Sequence, residues 1–312
     1  MRTGLIIFLF LALFGDFIAN DRPLFCQING KVYFPSLHQK GFEWNLVRAD
    51  SLYSTRDWQT FDGYERVLKS PVPFSAGSTD ISGARYVPPF QNSHLLGTDG
   101  LGRDVLAGLI EGCSVAFRTG IFSMLLAVFL GILMGATAGF LGSVNDYLIM
   151  SLIEIKRAVP SILWIFALTA IIDQCTLTHI VLIIGLLSWP NIALLMRSSV
   201  LRVKKADYVM AARDLGFSKW RILFFHIIPN CLGPVYVAAA ALVPTAAITE
   251  SALTFLGIGL PLNTVTWGSM LRQAQSDISM WWLALFPGIC LFLLILLFNT
   301  FAERLRKTNH QN

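Results

Sequence analysis

The residue types that could carry covalent chemistry are scattered through this chain. Five cysteines (Cys26, Cys113, Cys175, Cys231, Cys290) stand at wide spacing with no Cys-x-x-Cys pair, and five histidines (His38, His94, His179, His226, His310) are equally dispersed. This spacing argues against a zinc site, a disulfide framework or a convergent catalytic set, and it fits cysteine used as a small apolar residue. The Gly-rich stretch GTDGLGRD, 97–104, is not followed by Gly-Lys-Ser/Thr, and no G-x-x-x-x-G-K-[ST] occurs anywhere. A phosphate cradle of that type is therefore not expected. The stretch reads instead as a turn in which Thr98 or Asp99 caps an amphipathic helix on the outer face. No catalytic, cofactor-binding or metal-ligating residue is expected, so any ATP that drives the protein must be bound by a separate subunit.

The chemistry that the sequence does support is mechanical. DYVMAARDLGFSKWRILFFHIIPN, Asp207 to Asn230, interrupts two long apolar runs with cations, two small alanines and a glycine. Tyr208, Ala211, Ala212 and Leu215 recur at i, i+3, i+4, i+7 and share one helical face, with Arg213 and Asp214 on the other side. Gly216 suits the left-handed residue that ends a helix. Ser218 is placed to cap a second short helix, Lys219 to Ile228, which Pro229 separates from the next span. The pattern predicts a helix–turn–helix at a membrane face, with small residues that let another backbone approach. An interfacial helix that only anchors the loop to lipid fits the same pattern.

The elements around this loop are membrane spans. The chain has 312 residues, is 54% hydrophobic and only 14% charged, against about a quarter charged in soluble domains. A span needs roughly 20 apolar residues. Thr119–Asn145, Gln174–Met196, Ile227–Thr249 and Ile278–Ala302 supply four. In Tyr147–Ile172, Glu154, Lys156 and Arg157 interrupt the start, and Ala158–Ile172 can span if those charges lie at one interface. The N-terminus reads either as a signal peptide or as a short first span ending near Ala19. The span is preferred because GDFIAN makes a poor cleavage site. That gives an all-α, polytopic membrane protein of about six spans: a first helix in 1–20, an extracytoplasmic segment in 21–112, five spans in 113–306 with the loop 200–229 among them, and a tail in 307–312.

Orientation follows the cations. From Arg197 to Arg221 there are seven Lys/Arg against two acids, and the tail adds Arg304, Arg306 and Lys307 against Glu303. With six spans, both termini and the 197–230 loop fall in the cytoplasm. The outer segment from Asn20 to Gly112 is nearly neutral, with nine Lys/Arg and ten Asp/Glu. It contains a turn-rich stretch, PVPFSAGSTDISG, and a strand-like one, KVYFP. Gly131, Gly135 and Gly139 recur every four residues on the second span and read as a packing ridge, within the subunit or against a partner. Pro234, Pro244 and Pro287 read as kinks or as a pathway lining. Glu250, at the far end of an otherwise uncharged span, reads as an exposed interfacial acid, a helix-end hydrogen bond or a constraint on an outer gate.

Ala211-Ala212-x-x-x-Gly216, with the apolar run that closes at Ile228 and Pro229, resembles the cytoplasmic EAA loop of ATP-binding-cassette importer permeases. Met210 replaces the first glutamate of that loop, as it is replaced in many peptide-type members. HLLGTDGLGRDV (94–105), GFLGSVNDYLIMSLIEIKRAVPSIL (139–163), SWPNIALLMR (188–197), ESALTFLGIGLPLNTVTWGSML (250–271) and WWLALFPG (281–288) resemble blocks of the dipeptide/oligopeptide/nickel branch. In these blocks Ser151 and Leu194 stand where arginines are usual, and Glu154 where aspartate is. The closing FNTFAERLR matches in part, with Ala302 and Glu303 for glycine and aspartate. The outer stretch IANDRPLFCQINGKVYFPSL resembles the microcin C/oligopeptide subgroup.

The resemblance implies a permease subunit in a bacterial inner membrane that imports peptides or peptide-like solutes. Its implied partners are a second, homologous permease, two ATPase subunits that carry ATP-Mg, an extracytoplasmic binding protein and membrane lipid, with no nucleic acid. Tyr208, Ala211, Ala212, Arg213, Leu215, Gly216 and Pro229 would form the ATPase-coupling loop, and Glu250 a gate. An ion-driven secondary transporter is the alternative, but the paired broken helices or mid-membrane ionisable relay it would need are not seen in the sequence.

Overall fold

The structure, a computed structural model, describes residues 2–37, 58, 63, 65–79, 85–91, 93–261, 263–277 and 279–311. Four helices are long and apolar enough to cross a membrane: Val105–Leu141, Leu177–Val203, Lys219–Phe255 and Trp281–Lys307. Two shorter apolar helices, Thr3–Ile18 and Ser161–Ala170, accompany them. The chain divides into two compact units, 1–115 with 262–290, and 116–261 with 291–312.

In the first unit, α1 (Arg2–Ile18) leads into three short strands, β1 (Phe25–Ile28), β2 (Lys31–Tyr33) and β3 (Arg66–Leu68). They form an antiparallel sheet in the order β2-β1-β3, with Cys26 opposite Tyr33 and Val67. The strand-like KVYFP is thus β2. The turn between β1 and β2 uses Asn29 and Gly30, both at positive φ, as a tight hairpin requires. Cys26, Ile28 and Trp58 make a small core on this sheet. From Asp80, the turn-rich outer stretch lies outside the described residues.

The Gly-rich segment is a buried polar knot. Asp99 accepts from the backbone N–H groups of Leu101 and Arg103, both at 2.9 Å, and from Arg103 Nε at 2.8 Å. Asp104 Oδ1 accepts from Ala107 N–H at 2.8 Å, so Asp104 caps α2 (Val105–Leu141), not Thr98 or Asp99. The reason is that Asp99 is spent on its own turn and on Arg103, while Thr98 Oγ1 accepts from Val87 N–H. The cap places the start of α2 well ahead of the expected Thr119. Asp104 Oδ2 also sits 2.7 Å from His94 Nδ1, and the His94 ring lies 4.4 Å from that of Phe74. Two tryptophans complete the unit: Trp267, at the head of α9 (Trp267–Ala274), donates to Leu109 O, and Trp282 donates to Thr98 O, each at 3.1 Å.

The second unit holds α3 (Ser143–Ala158), α4 (Ser161–Ala170), α5 (Leu177–Val203), α6 (Asp207–Asp214), α7 (Lys219–Ile222) and α8 (Ile228–Phe255), with the final part of α10 (Trp281–Gln311). The interrupted third span resolves into two helices. Val159 is extended and Pro160 follows, because a residue before proline is pushed out of the helical region. α4 has 10 residues, about 15 Å of helix, shorter than the expected Ala158–Ile172. Its α3 neighbour keeps Ile149 and Ile153 buried and exposes Tyr147, Leu148, Leu152 and Ile155.

The glycine ridge of α2 packs within the subunit, on α5. A Cβ at Gly131 would lie 2.5 Å from Ile192 Cβ, one at Gly135 would strike Ala193 O, and one at Gly139 would come within 2.9 Å of Arg197 O. In a lipid solvent helices associate by such close approach, not by a hydrophobic drive. α5 also packs on α8 through a core of Ile192, Met196, Val200, Cys231 and Val235. Pro190, Pro234, Pro244 and Pro287 all lie inside continuous helices.

Candidate functional site

The loop between α5 and α8 folds as two helices about a tight turn. Its entry is fixed by a C-terminal α5 turn and by Lys204 Nζ, which donates to Gly139 O at 2.9 Å. α6 ends at Asp214 with Leu215 as its C-cap, and Gly216 has φ +79°, a conformation that a β-branched residue would hold at a strain of about 1–2 kcal/mol. Phe217 N–H then reaches back to Ala212 O at 3.2 Å, and Gly216 N–H to Arg213 O at 2.9 Å, closing the helix end. Ser218 Oγ accepts from Arg221 N–H at 3.3 Å and caps α7.

The exposed face of α6 differs from the expected one by a single residue. Tyr208, Ala211 and Leu215 are exposed, whereas Ala212 is buried and packs with Val209, Ile222 and Leu223. Ala212 is thus small because the loop's own core lies against it, and it does not belong to the outer face. Arg213 and Asp214 are exposed. Leu215 is 74% exposed, so the loop presents a bulky apolar tip that none of the described residues covers.

Pro229 does not separate the second loop helix from the next span. Lys219 to Phe255 is one helix of 37 residues, about 55 Å long. Its continuity comes from a π-helical stretch, Leu223–Ile227, after which Ile228 N–H bonds to Leu223 O across one extra residue. A proline removes one backbone donor, and the wider turn accommodates the gap. Asn230 Nδ2 donates to His226 O at 2.7 Å and satisfies a carbonyl there.

At the far end of α8, Glu250 is 1% exposed, which rules out the exposed interfacial acid. Thr254 Oγ1 donates to Glu250 Oε1 at 2.9 Å and accepts from Leu260 N–H at 3.2 Å, while Ser251 Oγ lies 3.3 Å from Glu250 Oε2. The helix closes with Gly257 at φ +81°, Gly257 N–H on Thr254 O and Ile258 N–H on Leu253 O, a Schellman end. A Cβ at Gly259 would collide with Thr254, so glycine is required where the chain folds back. The carboxylate is therefore wired to the turn that leaves the span.

One feature escaped the sequence reading. Arg197 Nε donates to Asp146 Oδ1 at 2.5 Å, and its Nη2 to Oδ2 at 2.6 Å, a bidentate pair between the start of α3 and α5. The hydrogen bonds from Arg197 hold the Asp146 carboxyl below the usual carboxylate range. Both residues stand in motif blocks of the sequence. The signal that could have joined them is topological, since each falls at the same end of its span.

Residues 127–309 match the model of a family described as the binding-protein-dependent transport system inner membrane component. The chain is 33% identical over 216 residues to the glutathione transport system permease protein of Pectobacterium atrosepticum, covering 69% of this chain and 71% of that protein. It is 32% identical to the oligopeptide transport system permease protein of Bacillus subtilis, over 70% and 72% of the two chains. A di/tripeptide transport system permease protein of Pseudomonas aeruginosa is 37% identical, over 69% of this chain and 71% of its own. A matched family model over more than half the chain, on a helical scaffold of apolar spans, leaves no room for an ion-driven secondary transporter. The chain belongs to the family of binding-protein-dependent transport system inner membrane components, and it is the permease of an ATP-binding-cassette importer.

Proposed function

We propose that this permease imports peptides or peptide-like solutes, and that it converts ATP hydrolysis by two partner ATPase subunits into movement of its spans. Three peptide or glutathione permeases among its relatives support the solute class. A second, homologous permease completes the membrane pathway, and an extracytoplasmic binding protein delivers the solute. ATP-Mg resides on the ATPase subunits, and this chain makes and breaks no covalent bond. The membrane is the bacterial inner membrane, with six spans and both termini in the cytoplasm.

The observation that carries the coupling role is the exposed face of α6. Tyr208, Ala211 and Leu215 stand outward on a helix whose inner side, Val209 and Ala212, is locked into the subunit core, and Gly216 turns the chain sharply beneath them. A push on that face is transmitted to α5 and α8 because the loop shares their core. Arg213 rims the face, and Pro229 lies in the unbroken rod above it. Closure of the ATPase pair would draw the seated loops together and rock the spans between outward- and inward-facing states. Glu250, tied to the outer turn of the same rod, would hold that end as a gate.

A photocrosslinker at Leu215, introduced in the assembled importer, tests this. The expected product is an adduct between this chain and an ATPase subunit, more abundant than one from a probe at Lys307. Adducts with lipid alone would return the loop to the role of a membrane anchor.

A further inference from the structure

The π-helical turn leaves a recess of about 590 Å³ lined by Trp220, Arg221, Phe224, Phe225 and His226. We propose that this recess seats the phosphate headgroup of an anionic phospholipid in the cytoplasmic leaflet. The placement rests on the orientation given under the proposed function.

Length puts the recess at the right depth. The helix from Lys219 to Phe255 is about 55 Å long against a hydrocarbon core of about 30 Å, so its first turns stand among headgroups. The walls suit that layer. Trp220 and Phe224 stack with ring centroids 6.1 Å apart, and Trp220, Phe224 and Phe225 are 55%, 49% and 76% exposed. Aromatic rings of this kind concentrate at the membrane–water boundary.

The polar groups suit a phosphate. Arg221 is exposed, with its guanidinium 4.6 Å from the Phe217 ring centroid, and it makes no ion pair among the described residues. His226 lines the recess beside it. The segment from 197 to 221, with seven cations against two acids, adds a field that favours an anion. The π turn itself supplies the geometry, since an extra residue per turn brings Arg221, Phe225 and His226 to one opening.

The full chain in nanodiscs of equal phosphatidylglycerol and phosphatidylcholine, ejected for native mass spectrometry, reads the occupancy directly and does not depend on orientation. The wild type is expected to retain phosphatidylglycerol in preference to phosphatidylcholine. Arg221→Gln should lower retention roughly five-fold, the effect of one cation near a charged surface, while Lys307→Gln, on the tail, should not. Equal retention of both lipids, or an Arg221→Gln effect no larger than that of Lys307→Gln, overturns the proposal. So does an Arg221→Gln variant that keeps its lipid but loses the ATPase subunits, because the recess would then be a protein contact. Loss of the Leu215 crosslink with lipid retention intact would instead strike the coupling role alone.

Discussion

Asp146 and Arg197 show how a residue-scale contact governs a span junction. Their bidentate pair is about a quarter exposed on each side, at 27% and 23%, so it is worth on the order of 1–2 kcal/mol, less than a fully buried pair of the same geometry. Asp146→Asn should lower the thermal stability of the purified chain by that amount at neutral pH. Because the carboxyl is held below its ordinary value of about 3.9, the wild type's advantage is complete above that pH and fades as pH falls through the lowered value. A melting difference that stays constant to strongly acidic pH would show that the pair contributes through shape and not charge. At the same scale, Gly216 was legible because only a few residue types tolerate positive φ. The burial of Ala212 and Glu250 was not legible, because a small residue or an acid at a helix end carries no mark of which neighbours surround it.

Elements were legible wherever one physical constraint dominates. Lipid demands long apolar helices, and the four long spans stand out in the sequence for that reason. Their starts were less legible. α2 begins at Val105, since Asp104 rather than a change in hydrophobicity sets its first turn. The break between α3 and α4 was masked by counting apolar residues across Pro160, whose effect falls on Val159. The continuity through Pro229 was missed because the rule that proline ends a helix assumes an α-turn, and this helix widens into a π-turn first. The glycine ridge gives an element-scale prediction. Gly135→Leu should force α2 off the backbone at Ala193 and cost about 1–3 kcal/mol, read as a lower melting temperature in detergent. Leu125→Ala, on the exposed face of the same helix, should cost far less. Equal losses from both would place the ridge outside the α2–α5 seam.

For the whole molecule, orientation is the property that charge alone had to supply. Lys31 on β2 is exposed, whereas Cys26 beside it is fully buried and would make a poor reporter. With the five native cysteines replaced, Lys31→Cys should react with a membrane-impermeant maleimide on intact cells, and Arg304→Cys only after permeabilisation. The reverse order would invert the protein in its membrane. The solute class was accessible to sequence only through kinship. Thr245 and Thr249, inside a span, bond to their own helix carbonyls and leave no pattern that names a ligand.

The unbroken rod from Lys219 to Phe255 has a mechanical meaning. If the loop couples as proposed, a shove at the foot would travel along one continuous helix to the Glu250 carboxylate about 47 Å away, with any bend falling at the π turn, Pro234 or Pro244. Such a lever would need no relay through separate helices along its length. It would ask only that its fulcrum, the seam with α5, stay tight while both tips swing.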